Sequence, residues 1–181
     1  MQVDQLTLQD PESFRDLYNH TQLNIFRFIY GLHGGPAEEV EDLTCDTFLR
    51  AWKARLRFKG NKQEALCWLL TIARHLVIDE HRRKKYQWEK NSLSIDSENF
   101  KEAWISTNES PEEETAAVEQ FATLWEVLQK LPDDKREVLV LRYMIGWQVK
   151  QIAEYMHKEE NTVSVMIRRC LEKIRRDWPA E

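Results

Sequence analysis

Residues 148–176 read QVKQIAEYMHKEENTVSVMIRRCLEKIRR. Ile152 and Ala153 mark the buried side of a short helix, from about Gln148 to Met156. His157-Lys158-Glu159-Glu160 forms a four-residue turn. Asn161 is placed to N-cap a longer helix through about Arg176, with Val163, Ile167, Leu171 and Ile174 inward. A short helix, a tight turn and a longer helix make a helix-turn-helix. In that motif the first helix crosses the DNA backbone and the second lays its N-terminal residues in the major groove, where base edges differ. Asn161, Thr162, Ser164, Val165, Arg168, Arg169 and Lys173 are the candidates for that surface.

Working outward, the helix before this motif restarts at Leu131-Pro132-Asp133-Asp134, carries Val138, Leu139, Leu141 and Tyr143, and stops near Gly146. Another helix is predicted from about Glu112 to Lys130. Further back, residues 86–113 are dominated by Asn, Ser, Glu and Asp and end in Ser110-Pro111-Glu112-Glu113-Glu114. So long a polar connection marks a domain boundary. The N-terminal part predicts three helices. The first begins at Asp10-Pro11-Glu12, with Asp10 as N-cap and Pro11 in the first helical position, and is broken by Gly31 to Pro36. The second runs from about Ala37 to Arg55, with Val40, Leu43, Phe48 and Trp52 inward. The third runs from about Gln63 to Lys85, with Trp68, Leu69, Ile72, Ala73, Leu76 and Val77 inward. Phe58-Lys59-Gly60-Asn61 is a loop. The fold class is therefore all-α: two small helical domains, residues 10–85 and 114–177, joined by an extended acidic linker at 86–113.

Composition agrees. The 181 residues are 42% hydrophobic, with only five Gly and five Pro, few for an all-β chain. The net charge of −5 conceals a strong pattern. Residues 1–49 carry two basic and nine acidic side chains, net −7, whereas residues 50–85 carry eleven basic and three acidic, net +8. Residues 86–119 return to two basic and nine acidic, net −7, and residues 120–181 carry eleven basic and ten acidic, net +1. The +8 block repels itself unless an anion binds it, although its C-terminal cations also complement a helix dipole. Cys45, Cys67 and Cys170 are scattered, which argues against a disulfide framework and a structural zinc site. No secretory signal or membrane-length apolar run is present, so a cytoplasmic protein without membrane insertion is expected. The five His show no HExxH, and the chain has no nucleophile elbow and no Gly-rich phosphate loop; neither enzyme activity nor a cofactor or metal is expected.

Two segments resemble one family. Glu41-Asp42-Leu43-Thr44-Cys45-Asp46-Thr47-Phe48-Leu49-Arg50-Ala51-Trp52, then Phe58, Trp68-Leu69-Leu70-Thr71-Ile72-Ala73-Arg74-His75, Ile78-Asp79 and Arg82-Arg83 resemble region 2 of the extracytoplasmic-function (ECF, group IV) sigma factors of the sigma-70 family. Leu131-Pro132, Arg136-Glu137-Val138-Leu139, Leu141-Arg142-Tyr143, Ile152-Ala153-Glu154 and Asn161-Thr162-Val163 resemble their region 4. The resemblance implies a factor that binds core RNA polymerase, through the β′ clamp helices and the β flap, and directs initiation at promoter DNA. Asp42, Asp46, Thr47 and Arg50, taken as polar and outward, are then the polymerase contacts. Arg57, Lys59, Asn61, Lys62, Arg74, His75, Arg82, Arg83 and Lys84 would bind the −10 element, with the Lys59–Lys62 loop capturing an unpaired base. Trp68 is read as core rather than as a stacking platform. The second helix of the helix-turn-helix would read the −35 element, and the linker would thread the polymerase. An anti-sigma factor is the further partner implied. This chain departs from the family in having Ser164, Val165 and Met166 where Lys or Arg, Ser and Arg usually follow the Thr-Val pair, and His157 in place of the usual Gly of the turn, where His adopts a left-handed conformation less readily than Gly. Val165 is suited to a thymine methyl; weaker −35 binding is the other consequence. The competing reading is a conventional helix-turn-helix regulator with an N-terminal interaction domain.

Overall fold

A computed structural model describes residues 6, 8–90, 124 and 126–178. The chain divides into two compact units, with the main boundary at residues 95/96. The described residues are overwhelmingly helical; the extended pairing among them is one isolated bridge between Leu6 and Gly60.

The first unit is built from α1 (Pro11–His33), α2 (Ala37–Ala54) and α3 (Lys62–Lys90). Asp10 caps α1 as its sequence indicates: Oδ2 accepts the Ser13 N–H at 3.2 Å. The helix runs through Gly31 to His33 and ends where Gly34 takes φ 65°, so the break falls three residues later than Gly31 suggests. Phe28, Ile29, Val40, Ala65, Leu69, Leu70 and Ala73 form a core with essentially no exposure. Phe14 packs edge-on to Trp52, with ring centroids 5.1 Å apart. The Arg55 guanidinium lies 3.5 Å over the Trp52 ring and also donates to the Trp52 carbonyl at 2.8 Å. These contacts pin the 3-10 turn Arg55–Arg57 that follows α2.

Helix α3 continues to Lys90, five residues beyond the boundary expected at Lys85. Residues 86–90, read as the start of the linker, prolong the helix instead. The rest of that linker, 91–113, and most of the helix expected at 112–130 lie outside the described residues; residues 124 and 126–129 are helical.

The second unit has α4 (Asp133–Leu139), which passes into a wider π-type turn at Val140–Met144, then α5 (Val149–Met156) and α6 (Glu160–Asp177). Its core holds Val127, Leu131, Val138 to Leu141, Trp147, Ile152, Ala153, Val163, Ile167 and Cys170. Arg136 is also buried: its guanidinium donates to the carbonyls of Leu128 (3.2 Å), Gln129 (3.3 Å) and Leu131 (3.1 Å). It thereby satisfies carbonyls left over where the preceding helix ends. Burial lowers the Arg136 pKa, and the Asp133 carboxylate at 3.6 Å opposes that shift.

Candidate nucleic-acid interface

The junction of α5 and α6 is the sharpest feature of the second unit. His157 adopts φ 53°, ψ 46°, the left-handed conformation expected of that turn. The Lys158 N–H reaches back to the Ala153 carbonyl at 2.9 Å, and the His157 N–H to that of Glu154 at 3.3 Å. This is a Schellman closure. The chain re-enters a helix at once: Glu159, not Asn161, is the N-cap of α6, and the Val163 N–H donates to the Glu159 carbonyl at 3.1 Å. Asn161 thus lies exposed in the first helical turn rather than ahead of it. Trp147 anchors the motif from behind, packing edge-on to Tyr155 at 5.4 Å, while Arg142 Nη1 donates to the Trp147 carbonyl at 2.9 Å.

On α6, Val163, Ile167 and Cys170 are buried. Asn161, Thr162, Ser164, Arg168 and Arg169 are exposed, and Val165 is partly exposed. Arg168 pairs loosely with Glu172 at 3.9 Å on the open face. Lys173 does not join this group: its ammonium donates to the Lys130 carbonyl at 3.4 Å and ties α6 to the helical stretch before α4.

In the first unit, the loop after α2 leads directly into the N-terminus of α3. Asn61 Oδ1 accepts the N–H groups of Gln63 (2.9 Å) and Glu64 (3.0 Å), and Glu64 Oε2 accepts the Asn61 N–H at 2.7 Å. This reciprocal capping box fixes the loop and commits the carbonyl oxygen of Asn61 to the helix. The neighbouring Gly60 pairs with Leu6, whose N–H donates to the Gly60 carbonyl at 2.8 Å; a Cβ on Gly60 would stand 2.8 Å from Glu64 Oε2. Arg57, Lys59 and Lys62 are exposed around this loop. Phe58 and Trp68 face each other at 5.0 Å, and Trp68 is half-buried rather than fully enclosed in the core.

Further along α3, Thr71, His75 and Arg82 form an exposed row at helical spacing, with partly exposed Arg74 beside it. Arg83 and Lys84 sit differently. Arg83 grips Glu80 through two hydrogen bonds, 2.9 and 2.8 Å, which hold the Glu80 carboxyl below its ordinary range. Lys84 forms a short ion pair with Glu39 of α2. Nearby, His33 is buried, stacks on His81 at 5.4 Å and lies 3.5 Å from Glu39. Burial, reinforced by the Lys84 charge, pushes the His33 pKa down to about 4 although Glu39 pulls the other way.

The α2 surface needs one correction. Asp42, Asp46 and Arg50 are exposed one helical turn apart, as expected. Thr47 is fully buried, its hydroxyl donating to the Leu43 carbonyl at 2.7 Å. A hydroxyl satisfied within its own helix is cheap to bury, so its polarity misled the assignment. The side chain that does share the exposed row is Leu49, 50% exposed, and Leu56 just beyond α2 is 61% exposed. Neither was singled out in the sequence; the helical spacing of Leu49 from Asp42 and Asp46 was the available signal.

Two family models match this chain: Sigma-70 region 2 over residues 17–86 and Sigma-70 region 4 over residues 121–174. Together they take in well over half of it. The chain belongs to the sigma-70 family. Among curated relatives it is 28% identical to the ECF RNA polymerase sigma factor BldN of Streptomyces coelicolor, over 98% of this chain and 64% of that protein. It thus spans just under two thirds of BldN. It is 27% identical to the ECF sigma factor SigW of Bacillus subtilis, over 96% of this chain and 93% of SigW. Both of these relatives are named as ECF sigma factors. Its fold is that of the sigma factor RpoE solved in complex with the anti-sigma factor NepR from Bartonella quintana, at TM-score 0.69 and 18% identity over 92% of this chain and 96% of that one. The helix-turn-helix falls within region 4, and the α2 and α3 surfaces within region 2.

Proposed function

We infer that this sigma-70 family member is an ECF (group IV) sigma factor, which binds core RNA polymerase in the cytoplasm and directs it to promoters with two elements, one for each unit. The observation that carries this is the pairing, in one chain, of a region 2 unit with a +8 segment at residues 50–85 and a region 4 helix-turn-helix with an open polar face. On this reading Asp42, Asp46 and Arg50, together with Leu49, dock α2 on the clamp helices of the β′ subunit, and the second unit meets the β flap. Arg57, Lys59 and Lys62 hold backbone phosphates beside the loop that takes up an unpaired base of the −10 element. Its Watson–Crick edge is within the chemistry of the Asn61 amide N–H groups. Arg74, His75 and Arg82 extend the phosphate track along α3. Arg83 and Lys84 join it only by exchanging Glu80 and Glu39 for phosphate. Asn161, Thr162, Ser164, Val165, Arg168 and Arg169 face the −35 element; Lys173 joins them by giving up the Lys130 carbonyl for phosphate. The role is that of a targeting subunit and not of an enzyme. An anti-sigma factor that covers the two DNA-binding surfaces is the natural inhibitor; a sigma factor of this fold is solved in complex with an anti-sigma factor.

Binding and footprinting test this reading. The chain is expected to co-elute with core polymerase and to protect two promoter segments only when polymerase is present. Permanganate-reactive thymines should appear in the downstream segment. Tight sequence-specific binding to duplex DNA by the chain alone, without affinity for core polymerase, would instead identify a conventional regulator.

A further inference from the structure

Val165 sits where an apolar residue needs an explanation. It lies two residues from both Val163 and Ile167, about 200° around α6 from each. Both of those are buried, so Val165 points away from the core, yet it is a β-branched hydrocarbon on a polar, cationic face. Its neighbours one turn on are Arg168 and Arg169, and one turn back is Asn161, all exposed. A lone, partly exposed valine is ordinary by itself. This one occupies the second turn of the second helix of a helix-turn-helix, the turn that enters the major groove.

A valine side chain has no donor or acceptor. Against the N7 and O6 of guanine, or the amino groups of cytosine or adenine, it would displace water and offer nothing in return. One group on the major-groove floor is apolar: the C5-methyl of thymine. Valine also holds essentially one χ1 rotamer in a helix, so its methyl groups are presented with little entropy left to lose. We propose that Val165 reads the C5-methyl group of one thymine in the −35 element, making that methyl a specificity determinant of this chain. Ser164 and Met166 flank it about 100° to either side and add no cation. Arg168 and Arg169 remain to hold phosphates or a neighbouring base. The inference rests on the reading of α6 as the −35 helix and adds to it the group recognised.

Deoxyuridine differs from thymidine in this methyl alone. Run-off transcription with core polymerase and the full chain is compared on a promoter it uses and on duplexes in which each −35 thymine in turn is replaced by deoxyuridine. At one position initiation is expected to fall by about fourfold, the factor one buried methyl group carries. V165A should initiate less on the thymine promoter and use thymine and deoxyuridine equally at that position. V165T, which keeps one methyl on a side chain of the same shape, should retain part of the discrimination and guards against a folding defect in V165A. A −35 element without thymine, equal use of both bases at every position by the wild type, or an undiminished penalty in V165A would overturn the proposal. Initiation that ignores the methyl refutes this inference alone; no initiation on any template refutes the sigma-factor reading beneath it.

Discussion

Arg136→Met removes the guanidinium that closes the second unit while keeping a side chain of comparable length in its channel. Three backbone carbonyls, of Leu128, Gln129 and Leu131, lose a charged donor. Hydrogen bonds to a charged group contribute about 1.5–3 kcal/mol each, but they share one side chain and do not add in full. Burial already lowers the Arg136 pKa, so removing the charge also relieves a desolvation cost. A net loss of about 3 kcal/mol follows, near the lower end for breaking a buried charged network. The region 4 match covers residues 121–174, a length for which about 3–8 kcal/mol of total stability is typical. Amide hydrogen exchange on the full chain reads this directly. Protection in α4, α5 and α6 should fall by about 100-fold or more, since each 1.4 kcal/mol is a factor of ten, while α1 to α3 stay as they were. R136K, whose single ammonium cannot reach three carbonyls, should fall between the two. Protection in the second unit within threefold of wild type for R136M would refute the claim that this guanidinium holds the unit closed.

Other consequences are open to measurement. Asn61→Ala should cost about 1 kcal/mol in unfolding of the first unit through the lost cap, whereas Asn61→Asp keeps the cap and should leave stability unchanged. If the amide also reads a base, N61D should still lose open-complex formation; full activity of N61D would dismiss that role. Unfolded His33 takes up a proton near pH 6.5 and folded His33 only near 4, so stability of the first unit should fall as pH drops from about 6.5 to about 4. Urea titrations of H33Q should lose that part of the slope; parallel wild-type and H33Q curves would contradict it. Asp46→Lys should weaken binding to core polymerase at least several-fold, while Thr47→Val, at a site with no exposure, should not; equal effects of the two would place the docking face elsewhere.

Much of this architecture is written in local patterns. Asp10 before Pro11, the helical spacing of Leu69, Ala73, Leu76 and Val77, and the turn after Met156 are each decided within a few residues, and each stands where the sequence places it. The misreadings arise where a side chain's partner is invisible from its neighbours' identities. Thr47 looks like a surface residue until its hydroxyl is seen bonded to its own helix. Asn161 looks like a better N-cap than Glu159, but the Schellman closure at His157 and Lys158 sets the restart of the helix. Other distant partners are equally hidden: only packing brings Lys173 to the Lys130 carbonyl and Lys84 to Glu39. Trp147 and Arg136 carry the second unit from positions where a loop aromatic and a buried charge give no periodic signal.

The central claim is that this chain confers promoter selection on RNA polymerase. Run-off transcription tests it most directly, with core polymerase on pooled promoter fragments of the source genome, in the presence and absence of the full chain. The account predicts discrete new start sites that depend on the chain, with two shared upstream elements once they are aligned. A transcript pattern unchanged by its addition would contradict it.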